Sequence, residues 1–495
     1  LVSLEHYEEQ IMSVGQVVAR NSMSGVFGQL ALKVLGLAYT ILIVRQLGDH
    51  NYGEYATVTA LVGIFAVFAD LGMANYAVRE IAKNHDRAPQ LFANMVVLRI
   101  ILALLVSAMN VGWAVLLGYD IDMLGLVALA SVPLFFYSIQ GPLNVVLQGF
   151  ERIDYTASLN VLGQTVLIAV GAVLVWFGWG AVGVIIASCC GVLANMLIAW
   201  RLVRGLTPLS WQIEPSMWLP LIKAGLPFGI STFATMLSFK VDIVMLERWR
   251  GAAEVGWYNA AYVLIASLLL FSSSFNSALV PSLTRQYQLD PESVGAFYLR
   301  AVRMLWCVGL PIAVGGALVS HPLINLLYGN KYAGTGYVLP ILIWVLPVLL
   351  ITAMCGAITS VLHREKATAR INFLNACFNI ALNLWAIPRY GLFGAAVMTV
   401  ATEFLGLAQY SFLLRDAFPL KDVARALLAA VPAALVMAGV IVLLGDLPVL
   451  LIIAIAAVVY ATALLLTGGL KIDELKLLFG TIGAGLSRRR VSASK

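Results

Sequence analysis

Charge is what this sequence has least of. Only 11% of its 495 residues are Asp, Glu, Lys or Arg, where a soluble domain carries about 25%, so a water-exposed globule is excluded. Cysteine and histidine are equally sparse, at five each. Cys189, Cys190, Cys307, Cys355 and Cys377 fall inside apolar stretches without metal-ligand spacing and read as small packing residues, so no metal site is expected. No phosphate-cradling Gly-rich loop with a Lys appears, which excludes ATP hydrolysis by this chain. No loop exceeds about 15 residues, too few for an inserted soluble domain, and any chemistry has to sit within or beside the apolar segments. Residues 1 to 22 are polar and the first apolar stretch is too long for a signal core, so that stretch reads as its own insertion signal.

What the sequence has in abundance is apolar length. Hydrophobic residues make up 61% of the chain, and the mean hydropathy is +0.92. About fourteen stretches are long enough to cross a hydrocarbon core of about 30 Å as helices. They lie near 24–46, 55–80, 91–117, 123–148, 153–178, 180–203, 219–246, 254–283, 296–320, 335–362, 367–388, 391–414, 424–445 and 447–469. The runs are continuous rather than alternating, which rules out a β-barrel, and lipid leaves open backbone groups no partner except within a helix. The fold class is all-α, a polytopic membrane protein.

The basic residues orient it. Of 31 Lys and Arg residues, 23 fall in one set of connecting segments, five in the other and three inside spans. Positive residues stay on the cytoplasmic side, so both termini are expected in the cytoplasm and the protein in the cell (inner) membrane. The net charge of +6 then reflects orientation and attraction to anionic lipid, with no nucleic acid as partner. Residues 471–482 alternate charge with apolar side chains before Ser487-Arg488-Arg489-Arg490, the pattern of an interfacial helix and a basic tail.

The chain repeats. Gly53-Glu54-Tyr55 matches Gly256-Trp257-Tyr258 at an offset of 203 residues, and the hairpin around Gly180 matches that around Gly391 at 211. Asn160 and Asn372 occupy equivalent places, as do Gly149-Phe150-Glu151-Arg152 and Leu362-His363-Arg364-Glu365. Units with an even number of spans begin on the same side, so the repeats are parallel, an arrangement typical of transporters that bind between lobes. The expected organisation is an N-terminal interfacial segment (1–22), a first six-helix lobe (23–204), a linker (205–218), a second lobe (219–415), two extra helices (421–469) and a basic tail (470–495).

Charges inside spans mark the candidate site, because each costs about 2.5–3.5 kcal/mol at a helix centre unless it faces the bundle interior or a wet cavity. Lys33, Asp70 and Arg99 lie eight to ten residues from the cytoplasmic ends of their spans, roughly 12–15 Å deep. Two cations and one anion at that level suit a phosphate or pyrophosphate. The alternative is a structural pair of Lys33 with Asp70, with Arg99 snorkelling to the surface. Arg79 and Arg303, at the mouths of the second and ninth spans, either guide an anionic headgroup or anchor orientation.

Glu403, near the middle of the twelfth span, is a candidate proton-coupling carboxylate, with a simple interhelical hydrogen bond as the alternative. Asp242 joins Asp70 and Glu403 as a counter-charge or coupling candidate, although it and Lys240 lie near the outer end of their span. Ser272, Ser273, Ser274 and Asn276, with Lys240, either line a sugar-accommodating cavity or tie helices together. Asp120 and Asp122 have the look of a metal-dependent glycosyltransferase pair but lie on the outer side, away from nucleotide-sugars, so no enzyme is expected.

Val44-Arg45-Gln46-Leu47-Gly48, Tyr52-Gly53-Glu54-Tyr55, Ala69-Asp70-Leu71-Gly72-Met73 and Arg79-Glu80-Ile81-Ala82 together resemble the opening of the polysaccharide biosynthesis flippases. These are the Wzx-like members of the multidrug/oligosaccharidyl-lipid/polysaccharide exporter superfamily. Leu147-Gln148-Gly149-Phe150-Glu151-Arg152 and Tyr390-Gly391-Leu392-Phe393-Gly394 are similar to that family too, and the resemblance runs from about residue 20 to 470. It implies two six-helix lobes around a cationic cavity that opens alternately to either side and carries a polyprenyl-pyrophosphate-linked oligosaccharide outward. It also implies coupling to an H+ or Na+ gradient without another cofactor, membrane lipids, a polysaccharide polymerase and other assembly proteins as partners, and a monomer. Lys33, Arg99 and Arg303 are then the cavity cations, with Asp70 and Glu403 as counter-charges or proton carriers. A drug or cation exporter of the same superfamily is the nearest rival, disfavoured by Lys33 and Arg99, and a membrane enzyme acting on lipid-linked sugars is the more distant one.

Overall fold

The computed structural model describes residues 2–209, 211–269, 293–362, 364–415 and 419–469, with side chains from Val34 onward except at positions 293, 294, 296, 297, 365 and 420. Among the described residues the regular structure is helical throughout: α1 (Val2–Asp70), α2 (Met73–Lys83), α3 (Ala88–Leu116), α4 (Ile121–Gly149), α5 (Ile153–Trp176), α6 (Gly180–Arg204), α7 (Trp218–Arg250) and α8 (Ala252–Leu268). There follow α9 (Ser293–Leu318), α10 (Ser320–Tyr328), α11 (Ala333–Leu342), α12 (Val345–Val361), α13 (Glu365–Leu413), α14 (Leu420–Leu428), α15 (Val431–Leu443) and α16 (Val449–Leu466).

Ten of these described segments are long and apolar enough to cross a membrane, eleven if Asn330–Leu342 and Val345–Val361, bent by 48°, make one span. The number is lower than fourteen partly because two segments each cover two expected spans. Val34–Lys83 has 50 residues, about 75 Å of helix against a core of about 30 Å. Its fold-back is at Gly48 (φ 76, ψ 173). The 49-residue α13 turns in the same manner at Gly391 (φ 54, ψ −134). The expected eighth span is described only over Ala252–Leu268, its remainder lying outside the described residues.

The chain divides into two compact units, Leu1–Ala260 with Asn383–Leu392, and Ala261–Leu382 with Phe393–Lys495. In the first, Met73 and Ile81 of α2 interlock with Phe92 and Met95 of α3 and Leu143 and Leu147 of α4. Small residues let α5 and α6 approach closely: a methyl group on Gly191 would stand 2.6 Å from the Gly163 carbonyl oxygen. Such contacts carry helix association where lipid removes the hydrophobic drive. In the second unit, α15 and α16 pack on α9 through Ala433, Met437, Leu310 and Tyr460, and the Tyr460 hydroxyl donates to the Cys307 carbonyl at 2.8 Å.

The repeat is visible in backbone conformation. Gly48 and Gly251, 203 residues apart, share the same left-handed, extended-ψ turn, at φ 76, ψ 173 and φ 86, ψ 172. Gly180 and Gly391 share a φ of 54°. At Gly53 and Gly256 the matched segments meet: a methyl on Gly53 would overlap the Ala252 carbonyl, and one on Gly256 the Asp49 carbonyl. Residues 49 and 252 are themselves 203 apart, so the contact is reciprocal about a local two-fold.

Candidate functional site

The site is built where a membrane helix breaks. After Asp70 the backbone enters the left-handed region at Leu71 (φ 49) and Gly72 (φ 76), and α2 begins at Met73 with no side chain capping it. A left-handed leucine costs roughly 1–2 kcal/mol, so the surroundings have to impose it. They do so through Gly225 and Gly229 of α7: a methyl on Gly72 would lie 2.5 Å from the Gly225 carbonyl oxygen, and one on Gly229 2.9 Å from that of Leu71. The Gly-x-x-x-Gly spacing at 225–229 is a helix-contact signal that sequence reasoning passed over.

Beside the break lies Arg99 of α3. Its Nη1 stands 2.9 Å from Asp70 Oδ1, with side-chain exposures of 10% for Arg99 and 32% for Asp70. The guanidinium lies against Gly141 of α4, where a methyl group would come within 2.7 Å of Cζ. Ser138 of α4 donates through Oγ to the Arg99 carbonyl at 3.1 Å. Arg99 Nε and Asp70 Oδ1 are both buried without a hydrogen-bond partner, so the ion pair is close but poorly aligned. Of the sequence alternatives, snorkelling of Arg99 is not what the structure shows: the side chain is 10% exposed and pairs with Asp70.

Other predicted residues fall in several places. The side chain of Lys33, and Ser272, Ser273, Ser274 and Asn276, lie outside the described residues. Arg79 is exposed on α2 with its guanidinium 5.7 Å from the Phe228 ring centroid, while its neighbour Glu80 binds Lys83 at 3.0 Å and Arg87 at 2.8 Å. Asp242, 4% exposed, accepts a 2.5 Å hydrogen bond from the Tyr258 hydroxyl and a 2.9 Å bond from the Ile243 amide. Lys240, two positions earlier, takes a different face of α7 and is partly exposed. In the second unit Arg303 on α9 and Glu403 on α13 are both partly buried. Asp120 is a helix cap, accepting from the Met123 amide at 2.9 Å.

The 205–218 segment is anchored. Asn94 of α3 is buried and donates through Nδ2 to the Gln212 carbonyl at 3.1 Å. Its Oδ1 accepts from the Glu214 amide at 2.8 Å and from Trp218 Nε1 at 3.1 Å. Trp211 completes the seat, with ring centroids 6.0 Å from Phe92 and 6.3 Å from Trp200. A single buried Asn in an apolar run was the only sequence sign of this latch.

With this geometry in place, the chain matches the polysaccharide biosynthesis protein family over residues 18–286, more than half its length. It belongs to that family. The MatE family matches residues 227–385, which sets this polysaccharide biosynthesis protein within the superfamily that also holds multidrug exporters. Among curated relatives, a probable low-salt glycan biosynthesis flippase, Agl15, of Haloferax volcanii is 23% identical over 86% of this chain and 89% of its own. A putative O-antigen transporter of Shigella flexneri is 21% identical over 77% of this chain and 93% of its own. Among solved structures, the lipid II flippase MurJ in an inward closed conformation aligns with a TM-score of 0.73, covering 93% of this chain and 99% of its own at 15% identity. An inward-facing multidrug MATE transporter aligns at 0.62, covering 78% and 95% at 16% identity. The protein therefore has the fold of a multi-pass membrane transporter.

Proposed function

We propose that the protein is a flippase that carries a polyprenyl-pyrophosphate-linked oligosaccharide from the cytoplasmic to the outer leaflet for cell-surface polysaccharide biosynthesis. The observation that carries this reading is a buried arginine, Arg99, at a break in a membrane helix of a polysaccharide biosynthesis protein. Desolvating a pyrophosphate in hydrocarbon is prohibitive, and cavity cations lower that barrier while the lipid tail stays in the bilayer. Lys33 and Arg303 are the further cations, Arg79 stands at the entrance, and Glu403 or Asp242 is the carboxylate through which an H+ or Na+ gradient drives return. The two repeats rock about the bound headgroup, so no continuous pore opens.

Both termini lie in the cytoplasm of the cell membrane on this reading, supported by the 23 to 5 distribution of basic residues. On this reading it is a transporter rather than an enzyme, which the capping role of Asp120 at the start of α4 supports. The test is translocation of a labelled polyprenyl-pyrophosphate glycan in proteoliposomes, with and without a proton or sodium gradient. Transport lost in both Lys33→Ala and Arg99→Ala supports the reading, and transport unchanged in both overturns the site. Efflux of a cationic drug without glycan transport would move the protein to the exporter branch.

A further inference from the structure

The geometry points to Asp70 as an internal occupant of the phosphate position: a carboxylate that a phosphate group of the lipid-linked headgroup displaces from Arg99, releasing the broken joint between α1 and α2. The inference rests on the flippase reading above and adds an exchange that the reading does not contain.

The two partners are held unequally. Arg99 is fixed, its guanidinium laid on the Gly141 backbone and its own carbonyl bonded by Ser138, with only 10% of the side chain exposed. Asp70 is three times as exposed, at 32%, and no other side chain bonds it among the described residues. The accessible member of the pair is thus the anion, and an incoming anion meets a cation that does not move.

The pair is also incomplete. Asp70 touches Nη1 of Arg99, yet Nε is buried with no acceptor. An unsatisfied buried donor is destabilising. Arginine pairs through two parallel bonds with carboxylate and phosphate alike, but Asp70, fixed at the end of α1, reaches Nη1 only, whereas a phosphate brings more acceptor oxygens and no backbone tether. Exchange therefore replaces one poorly aligned contact with two aligned ones, which gives the substrate an advantage over the internal group at the same cation.

The carboxylate occupies the last position of α1, directly before Leu71 and Gly72. A negative charge at a helix C-terminus opposes the helix dipole, so Arg99 is what makes that placement favourable. Once a phosphate takes Arg99, Asp70 loses its one side-chain tie among the described residues, and the joint keeps the contacts of Leu71 and Gly72 with Gly225 and Gly229 on α7. Headgroup binding is in this way coupled to the backbone joint that α7 grips.

The experiment measures binding of geranylgeranyl pyrophosphate to the full chain in nanodiscs of uncharged phosphatidylcholine, with geranylgeraniol and inorganic pyrophosphate as comparison ligands. Asp70→Asn is expected to tighten geranylgeranyl pyrophosphate about tenfold, since the competitor is removed while the shape is kept, and Arg99→Gln to weaken it at least tenfold. In the unaltered protein, carbodiimide labelling of Asp70 is expected to rise at least threefold when geranylgeranyl pyrophosphate is added and to stay level with geranylgeraniol. The labelling arm stands even if Asp70→Asn fails to fold. Binding by the unaltered protein with no tightening in a folded Asp70→Asn, or with no rise in labelling, overturns the exchange and leaves the flippase reading intact. Failure of the unaltered protein to bind any pyrophosphate overturns both. Inorganic pyrophosphate binding as tightly as the prenylated form overturns the lipid source of the ligand.

Discussion

Gly53 and Gly256 meet backbone to backbone, each leaving room for the carbonyl of the residue four positions before the other. Neither backbone can yield as a flexible side chain would. Gly256→Leu is therefore expected to lower thermal stability by several degrees or abolish expression of folded protein, measured by intrinsic fluorescence during heating in detergent. Gly112→Ala, on α3 with nothing within 4 Å of the added methyl, is expected to be neutral or to gain up to about 1 kcal/mol.

Arg99 and Arg79 separate a buried cation from an entrance cation. Arg99→Lys keeps the charge but not the planar fork, and transport of the labelled glycan in proteoliposomes is expected to fall at least tenfold. Arg79→Ala removes an exposed side chain whose described contact is the Phe228 ring, worth about 0.5–1 kcal/mol, and its transport is expected to stay within about threefold of the parent at saturating substrate.

The Asp242–Tyr258 bond is short and buried. Tyr258→Phe leaves a buried acceptor without its donor, at a cost of about 1–3 kcal/mol. The expected result is a lowered unfolding temperature in Tyr258→Phe, partly recovered when Asp242→Asn is added, because the second substitution removes the stranded charge. Additive losses in the double variant would show that the two side chains do not act as a pair.

Asn94 ties the 205–218 segment to α3 through three hydrogen bonds. Asn94→Leu is expected to leave helix content unchanged and to raise the rate of protease cleavage within 205–218 at least fivefold, read by mass spectrometry of the fragments. An unchanged cleavage rate would mean that the aromatic seat of Phe92, Trp200 and Trp211 holds the segment alone.

Much of the architecture is readable in the sequence. Apolar runs, a Gly-based repeat and the absence of alternating patterns led to an all-helical, multi-pass transporter, because hydropathy sums over neighbours in sequence and glycine marks turns that other residues enter at a cost. The repeat was legible in Gly53 and Gly256, and their reciprocal contact explains why those residues in particular are glycine. Expected spans were harder to count: at Gly48 and Gly391 the backbone leaves the helical region for a single residue, so two helices follow one another without an intervening loop.

The site was legible in its components but not in its pairing. Depth along a span put Asp70 and Arg99 at one level, since rise per residue is constant, and the two meet at 2.9 Å; the side chain of Lys33, expected at the same level, lies outside the described residues. Sequence by itself determined the membrane class, the repeat and which rare charges fall inside apolar spans. Only the tertiary structure decided that Arg99 pairs with Asp70, that the helix breaks just after it, and that Gly141, Gly225 and Gly229 make both possible. Each of those depends on backbones from distant parts of the chain coming within a methyl group of one another, a property that no local pattern of residues encodes.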